Sequence, residues 1–291
     1  MGGPGGKGLM STARGTSLEA TREFWDANPC GISAPYHEQR AHRYAVEPWI
    51  PALLQRIAAR HASVLEVGCG QGVDSIELCM ALRPGSRYMG IDYSPRSIAV
   101  AIANAKRLDP RLIVKPRYLV GNAEALDFDA AAFEAVYSLG VLHHTADERA
   151  ATREIHRVLA PGGKAYICLY RKPAPKVALA KMLRGVQRGL DLLAGSDRCI
   201  YALLKRTGSL NRPFGTMFHE CFGVPYMKWY NRAEVTTLFA DFDALDAIAI
   251  GANLGRLAGS AVRPSPLGYF WVVEATKRAT LDADHPGSGQ R

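Results

Sequence analysis

The chain has 291 residues, 48% of them hydrophobic and 22% charged, which is the composition of a globular protein able to bury one large α/β core or two small ones. No apolar run reaches the roughly 18–20 residues of a membrane-spanning helix. The net charge of +9 is concentrated rather than spread, because Arg171 to Arg212 carries ten Lys or Arg against only Asp191 and Asp197; the remaining chain is near neutral.

Residues 1–17 are glycine-rich, lack the apolar stretch of a secretory signal, and place Gly6 where a myristoylation pattern needs Ser or Thr. They are expected to be a disordered tail, as are residues 280–291. A helix is expected from Pro48 to about His61, with Leu53, Leu54, Ile57 and Ala58 on one face. The β-branched run Val64–Val67 follows and ends in Gly68-Cys69-Gly70-Gln71-Gly72. A helix through Ile76, Leu78, Cys79 and Met80 stops at Pro84-Gly85, and Tyr88–Ile91 is the next strand. Ser94-Pro95 reads as the cap and first turn of a helix ending near Asp109-Pro110.

Tyr118–Val120 and Ala135–Tyr137 continue the strands. Thr145 to Glu148 has the spacing of a capping box for a helix through Ile155, Val158 and Leu159, which Pro161-Gly162-Gly163 is expected to end before the strand Ala165–Leu169. Leu245–Ile250 and Tyr269–Glu274 are two further strands with no clear helix between them, so an antiparallel edge strand is expected. Strand and helix alternating in this way predict a parallel sheet covered on both faces. Arg171 to about Tyr230 breaks the alternation and reads as an inserted cap.

In an open α/β sheet a ligand binds beyond the carboxyl ends of the strands. The residues there are Glu66 with the glycine loop, Asp92, Asn122-Ala123-Glu124, and Ser138-Leu139-Gly140. Three glycines followed by an acid 24 residues after Gly68 suggest nucleoside binding: glycines admit a ligand close to the backbone, and a carboxylate accepts both ribose hydroxyls. A tight strand–helix turn with a solvent-facing Asp gives the same pattern. Cys30, Cys69, Cys79, Cys168, Cys199 and Cys221 show neither CxxC nor zinc-ligand spacing; free thiols, a cytoplasmic location and no bound metal are expected.

VLEVGCGQG at Val64–Gly72 resembles the first motif of the class I S-adenosylmethionine (SAM)-dependent methyltransferases, of the small-molecule type found in quinone and natural-product biosynthesis. GIDYSP at Gly90–Pro95, GNAEALDF at Gly121–Phe128 and YSLGVLHHT at Tyr137–Thr145 resemble the second, third and fourth motifs, and Arg153–Tyr170 the helix and fifth strand after them. The resemblance runs from about Trp25 to Tyr170, and five motifs in order are far more specific than any one. It implies a Rossmann-like, doubly wound, seven-stranded, mostly parallel sheet with an antiparallel edge strand, plus a helical cap insertion. The implied divisions are lid helices over residues 18–61, a SAM-binding core over 62–170, a basic cap over 171–232 and the rest of the sheet over 233–279.

The resemblance also implies site roles. Glu66, Gly68, Cys69, Gly70 and Gly72 would line the methionine and ribose parts of SAM, Asp92 would take the ribose hydroxyls, and Tyr93 would lie against adenine. Asn122, with Ala123 and Glu124, stands where the family often has an Asp for the adenine amino group; an Asn carbonyl can accept the same bond without charge. Ser138 and Leu139 would give backbone contacts near the sulfonium. The stretch Phe24–Ile50 resembles a lid, which would exclude water that stabilises the charged ground state.

Methyl transfer is an in-line displacement that needs a base only where the acceptor must lose a proton. His143 and His144, just past the fourth strand, are the candidate bases; one being structural is the plain alternative. His219 and Glu220 are weaker candidates. Tyr170, Tyr226, Trp229 and Tyr230, with His219, form a candidate acceptor pocket or simply pack the cap. Leu179, Met182, Leu183, Val186, Leu190 and Leu193 recur at helical spacing beside Lys181, Arg184, Arg188 and Asp191. That segment is open to four readings: a solvated lid helix, a dock for an anionic acceptor or an acidic carrier, a membrane-surface contact toward a lipophilic acceptor, or nucleic acid. The last is disfavoured by the lack of any nucleic-acid-binding module. The sequence thus points to methylation at O or N of a small-molecule specialised metabolite. C-methylation of an isoprenoid or quinone-like lipid, and a non-catalytic SAM-binding regulator, are the alternatives.

Overall fold

The computed structural model describes residues 19–29, 34–196, 198–208, 218–251 and 264–279. Both expected tails, and Cys30, lie outside them. Helix α1 covers residues 19–27, followed by α2 (Tyr36–Val46), α3 (Ile50–Arg60), β1 (Ser63–Val67), α4 (Val73–Ala81), β2 (Arg87–Asp92), α5 (Pro95–Leu108) and β3 (Arg117–Val120). Then come β4 (Phe133–Leu139), α6 (Glu148–Val158), β5 (Leu159–Tyr170), α7 (Pro175–Ala194), α8 (Cys199–Arg206), α9 (Arg232–Leu238), β6 (Ala244–Ile250) and β7 (Phe270–Thr276).

The seven strands form one sheet in the order β3-β2-β1-β4-β5-β7-β6. β1 to β5 pair in parallel, while β7 runs antiparallel to both β5 and β6 and sits one place in from the edge. The order reverses direction between β1 and β4, so the loops after those strands diverge and leave a crevice at their carboxyl ends. Apolar layers cover both faces. α3 buries Leu53, Leu54, Ile57 and Ala58 on one face with Val64, Tyr137 and Tyr170, and α6 and α9 bury Ile155, Val158 and Val235 on the other. The starts of α5, α6 and α9 are set by side chains that satisfy free backbone N–H groups. Ser94 accepts from Ser97 at 3.0 Å, and Asn231 and Glu234 form a reciprocal capping box.

Two local expectations are corrected, and the facing of α7, which the sequence left open, is decided. The cap of α6 is Asp147, which accepts from Ala150 N–H at 2.9 Å; Thr145 instead donates to the Leu142 carbonyl, and Glu148 pairs with Lys228. Pro161-Gly162-Gly163 lies inside β5 rather than ahead of it, where the pairing with β4 shifts register and Gly162 adopts φ +75°. α7 is turned opposite to its hydrophobicity. Its buried face carries Val177 and Gln187, whose amide donates to the Phe222 carbonyl at 2.8 Å, while most of the apolar stripe faces outward.

Candidate active site

The loop after β1 is held against β2, with the N–H groups of Gly68 and Cys69 both donating to the Ile91 carbonyl at 2.7 and 2.9 Å. Its three glycines all have positive φ but for different reasons. A Cβ on Gly68 would lie 2.1 Å from Val141 Cγ2, and one on Gly72 would lie 2.9 Å from Ala101 Cβ, so both are required by protein packing. A Cβ on Gly70 would meet nothing within 4 Å: this turn of the loop faces open space.

Asp92 borders that space from the end of β2. One of its oxygens accepts the Gly70 N–H and the other the Ser94 N–H, each at 2.9 Å, and burial raises its pKa. Ser94 in turn donates to Asp26 at 2.8 Å, and Asp26 also accepts the Arg96 N–H, so α1 is moored beside Asp92. Tyr93 is half-buried next to it and Ala123 is buried. An open glycine turn beside a desolvated carboxylate fits the nucleoside and amino-acid portions of SAM.

Other expected cofactor residues have their side chains turned to structural tasks. Glu66 lies beneath the loop, where Ser75 and Tyr88 donate to its carboxylate, and burial together with nearby Asp74 pushes its pKa up to about 8. The Cys69 thiol is buried and its pKa is raised by that burial. Asn122 Oδ1 accepts the Glu124 N–H at 3.0 Å, while Glu124 reaches across to the N–H groups of Ala146 and Asp147 at 2.8 and 3.0 Å. Ser138 donates to the Val67 carbonyl at 2.9 Å, tying the ends of β1 and β4, and Leu139 is half-buried beside it.

Past β4, His143 and His144 form one aromatic cluster with Tyr170, in which His144 meets both other rings edge-on. The His143 ring centroid is 4.3 Å from His144 and 3.8 Å from Tyr170. Burial, then His144, drives the His143 pKa well below the ordinary value, opposed by the Cys168 backbone. His144 Nδ1 lies 2.9 Å from the Tyr226 carbonyl, which can only accept. Nδ1 therefore carries the proton and Nε2 the lone pair. Burial pushes the His144 pKa down to about 4, so the ring is neutral at physiological pH. Trp25 of α1 meets this ring edge-on at 5.2 Å.

On the far side of Tyr170 a small cleft opens under α7. Tyr170 and Trp229 line it, together with Lys176, Val177, Leu179, Ala180, Cys221, Met227 and Tyr269. Lys176 stands over the Tyr269 ring at 4.0 Å and Lys181 over the Trp229 ring at 4.9 Å. Tyr226 contributes its carbonyl to His144 and its ring to Lys228.

Two expected pocket residues lie elsewhere. Tyr230 is buried among Val235, Leu238 and Trp271 on the opposite face of the sheet. His219 is hydrogen-bonded to Tyr201 at 2.9 Å with Phe24 beside its ring, a joint between the cap and α1. Glu220 follows it in the same π-helical turn, and its side chain is outside the described set. Sequence reasoning missed Trp25, Asp26, Met227 and Tyr269. For Tyr269 a signal existed, because following the antiparallel pairing of the last strand puts Phe270 opposite Tyr170.

A protein-family profile described as a methyltransferase domain matches residues 65–167. An uncharacterised 37.1 kDa protein in a transposon of Streptomyces fradiae is 31% identical over 273 residues, spanning 92% of this chain and 73% of the relative. A ubiquinone biosynthesis O-methyltransferase of Xanthomonas axonopodis is 29% identical, covering 74% of this chain and 84% of its own length. Among solved structures, a SAM-dependent methyltransferase from Thermotoga maritima superposes with a TM-score of 0.55 at 14% identity, covering 90% of this chain and all of the other.

Proposed function

We propose that the chain, a class I SAM-dependent methyltransferase, methylates an oxygen or nitrogen of a small, flat, partly apolar molecule that lies along the cleft under α7 with its reacting atom extended past Tyr170 toward His144. In this reading residues 18–61 close over the cofactor, 62–170 hold it, and 171–232 frame the acceptor. Bound SAM supplies a methyl group activated by its sulfonium.

The observation that carries the reading is the tautomer of His144. With Nδ1–H held by the Tyr226 carbonyl, Nε2 keeps its lone pair. A pKa near 4 makes this a weak base toward a resting hydroxyl. It is sufficient once the acceptor oxygen has begun to bond to carbon, because a protonated, alkylated oxygen is far more acidic than an imidazolium. Nε2 would then take the proton from the acceptor as its new bond to the methyl carbon replaces that carbon's bond to sulfur. His143 and Tyr170 meet the His144 ring edge-on and hold its plane. Trp25 covers it from α1, which limits water at the reacting atoms.

Gly70 and Asp92 serve as the cofactor contacts in this reading. Support for small-molecule O-methylation comes from the Xanthomonas relative, named for that step in ubiquinone biosynthesis. Aromatic walls at Trp229 and Tyr269, with Lys176 and Lys181 above them, suit a planar acceptor bearing an anionic substituent.

The test is transfer of an isotope-labelled methyl group from SAM to a panel of phenols, catechols, aromatic amines and quinols, with product NMR to locate the methyl. Label on O or N, with turnover reduced about 10²–10⁴-fold in His144→Ala, supports the proposal. Label on carbon with His144→Ala unimpaired overturns it in favour of C-methylation. Tight S-adenosylhomocysteine binding without transfer to any member would move the reading to a non-catalytic SAM-binding protein.

A further inference from the structure

We propose that α7 is a membrane-docking element, which seats the mouth of the cleft on an anionic lipid surface. Among the described residues no helix is long and apolar enough to cross a membrane, but α7 has the form of a helix that lies on one. At about 100° per residue, Leu179, Met182, Val186, Leu190 and Leu193 fall on one stripe. All five are exposed, Met182 at 58% and Leu193 at 86%, and Leu192 beside them is 85% exposed. The polar Gln187 is meanwhile buried against the Phe222 carbonyl. The helix is anchored through its other face, and among the described residues nothing covers the apolar one.

Charge identifies what that is. Lys176 borders the stripe on one side, and Lys181 and Arg188 on the other. Asp191 is the acid on α7, and it is engaged by the Cys199 N–H at 2.8 Å. An apolar stripe flanked by long basic side chains matches the depth profile of an anionic bilayer surface: the stripe enters the acyl boundary and the ammonium and guanidinium groups stay at the headgroups. An acidic protein partner would use the cations but not a strip of leucines this exposed. Leu179 belongs both to the stripe and to the cleft wall, so a docked helix opens the cleft toward the lipid. The inference stands on the face of α7 and not on which atom is methylated.

The full-length chain is tested by flotation with vesicles of phosphatidylglycerol and phosphatidylcholine in equal parts, and with phosphatidylcholine alone. Binding to the anionic vesicles at least tenfold stronger than to the neutral ones is expected, weakening several-fold between 0.1 and 0.5 M salt. A Met182→Glu, Leu193→Glu double variant is expected to lose at least tenfold in vesicle binding while keeping the Tm and S-adenosylhomocysteine affinity of the parent. Absence of binding to anionic vesicles, or equal binding by the double variant, overturns the proposal. So does light scattering that shows a dimer split by the same two changes, which would make this face a self-association surface.

Discussion

Arg43 of α2 grips Asp74 in the first turn of α4 with two nitrogens, Nη2 and Nε, at 2.6 and 3.2 Å from the two carboxylate oxygens. The hydroxyls of Tyr44 and Tyr137 complete the shell of Asp74 at 3.1 and 2.9 Å. One turn further along, Arg40 and Tyr36 engage Glu77 in the same way. Because α4 begins directly after Gly72, these pairs fasten the N-terminal helices to the base of the glycine loop. The two pairs differ in burial: Asp74 is enclosed, whereas Arg40 is half open to solvent. Arg43→Ala strands a buried carboxylate and is expected to cost about 2–3 kcal/mol in urea denaturation. Arg40→Ala is expected to cost no more than about 1 kcal/mol. Equal losses would mean that burial does not set the strength of the clamp.

Asp92 allows stability and binding to be separated. Its carboxylate is desolvated, and burial raises its pKa, so the negative charge costs stability in the empty protein. Asp92→Asn keeps an acceptor for the Gly70 or Ser94 N–H. It is expected to leave Tm unchanged or raised, while S-adenosylhomocysteine binding weakens by about 1.5–3 kcal/mol through lost charge-assisted bonds to ribose. Calorimetry and thermal denaturation on one sample check both halves. Parent-like affinity in the variant would remove Asp92 from the ribose site.

Gly68 and Gly70 have similar backbones and opposite surroundings. Gly68→Ala drives a methyl group into Val141, at a spacing no real contact tolerates, and is expected to destabilise the fold by about 2–4 kcal/mol. Gly70→Ala meets open space and costs only the strain of φ +53°, about 1 kcal/mol. Its methyl occupies the volume that the cofactor needs, so affinity is expected to fall at least tenfold in calorimetry. A Gly70→Ala variant with parental affinity would show that the cofactor does not approach this turn.

The parts legible in the sequence are those whose chemistry is local. Val64–Gly72 and Gly90–Pro95 each place strand, turn and cap within a few residues, so Ser94 could be read as a cap and Asp92 as the acid ending its strand. The cleft was not legible because its walls come from β5, α7, the segment before α9 and the start of β7, and only the antiparallel return of β7 brings Tyr269 to Tyr170. Periodicity located the apolar stripe of α7 but could not tell which way it faces. That is decided by a tertiary contact, the buried Gln187 amide on Phe222. Tyr230 was misjudged for a related reason. It sits beside Trp229 in sequence, but neighbours in an extended segment point to opposite faces, and only Trp229 reaches the cleft.

His144 ties the proposed chemistry to a measurable pH dependence. In the unfolded chain it takes up a proton near its ordinary value of 6.5, whereas in the folded protein burial delays this to about 4. Between those values the unfolded state binds more protons, so stability rises with pH across the window. It is fully present above about 6.5 and lost as pH falls toward 4, by up to roughly 3 kcal/mol for this group. His143 is shifted in the same direction and adds to the slope. Urea midpoints at pH 4.5, 5.5, 6.5 and 7.5 are expected to climb, and to climb less steeply in His144→Gln, which has no proton to gain. The neutral ring is also the form that accepts a proton, so kcat/KM is expected to hold its value from pH 7 down to about 5 where the fold persists. An acid limb centred at 6.5 would place a solvated histidine at the reacting atoms instead of the buried one seen here.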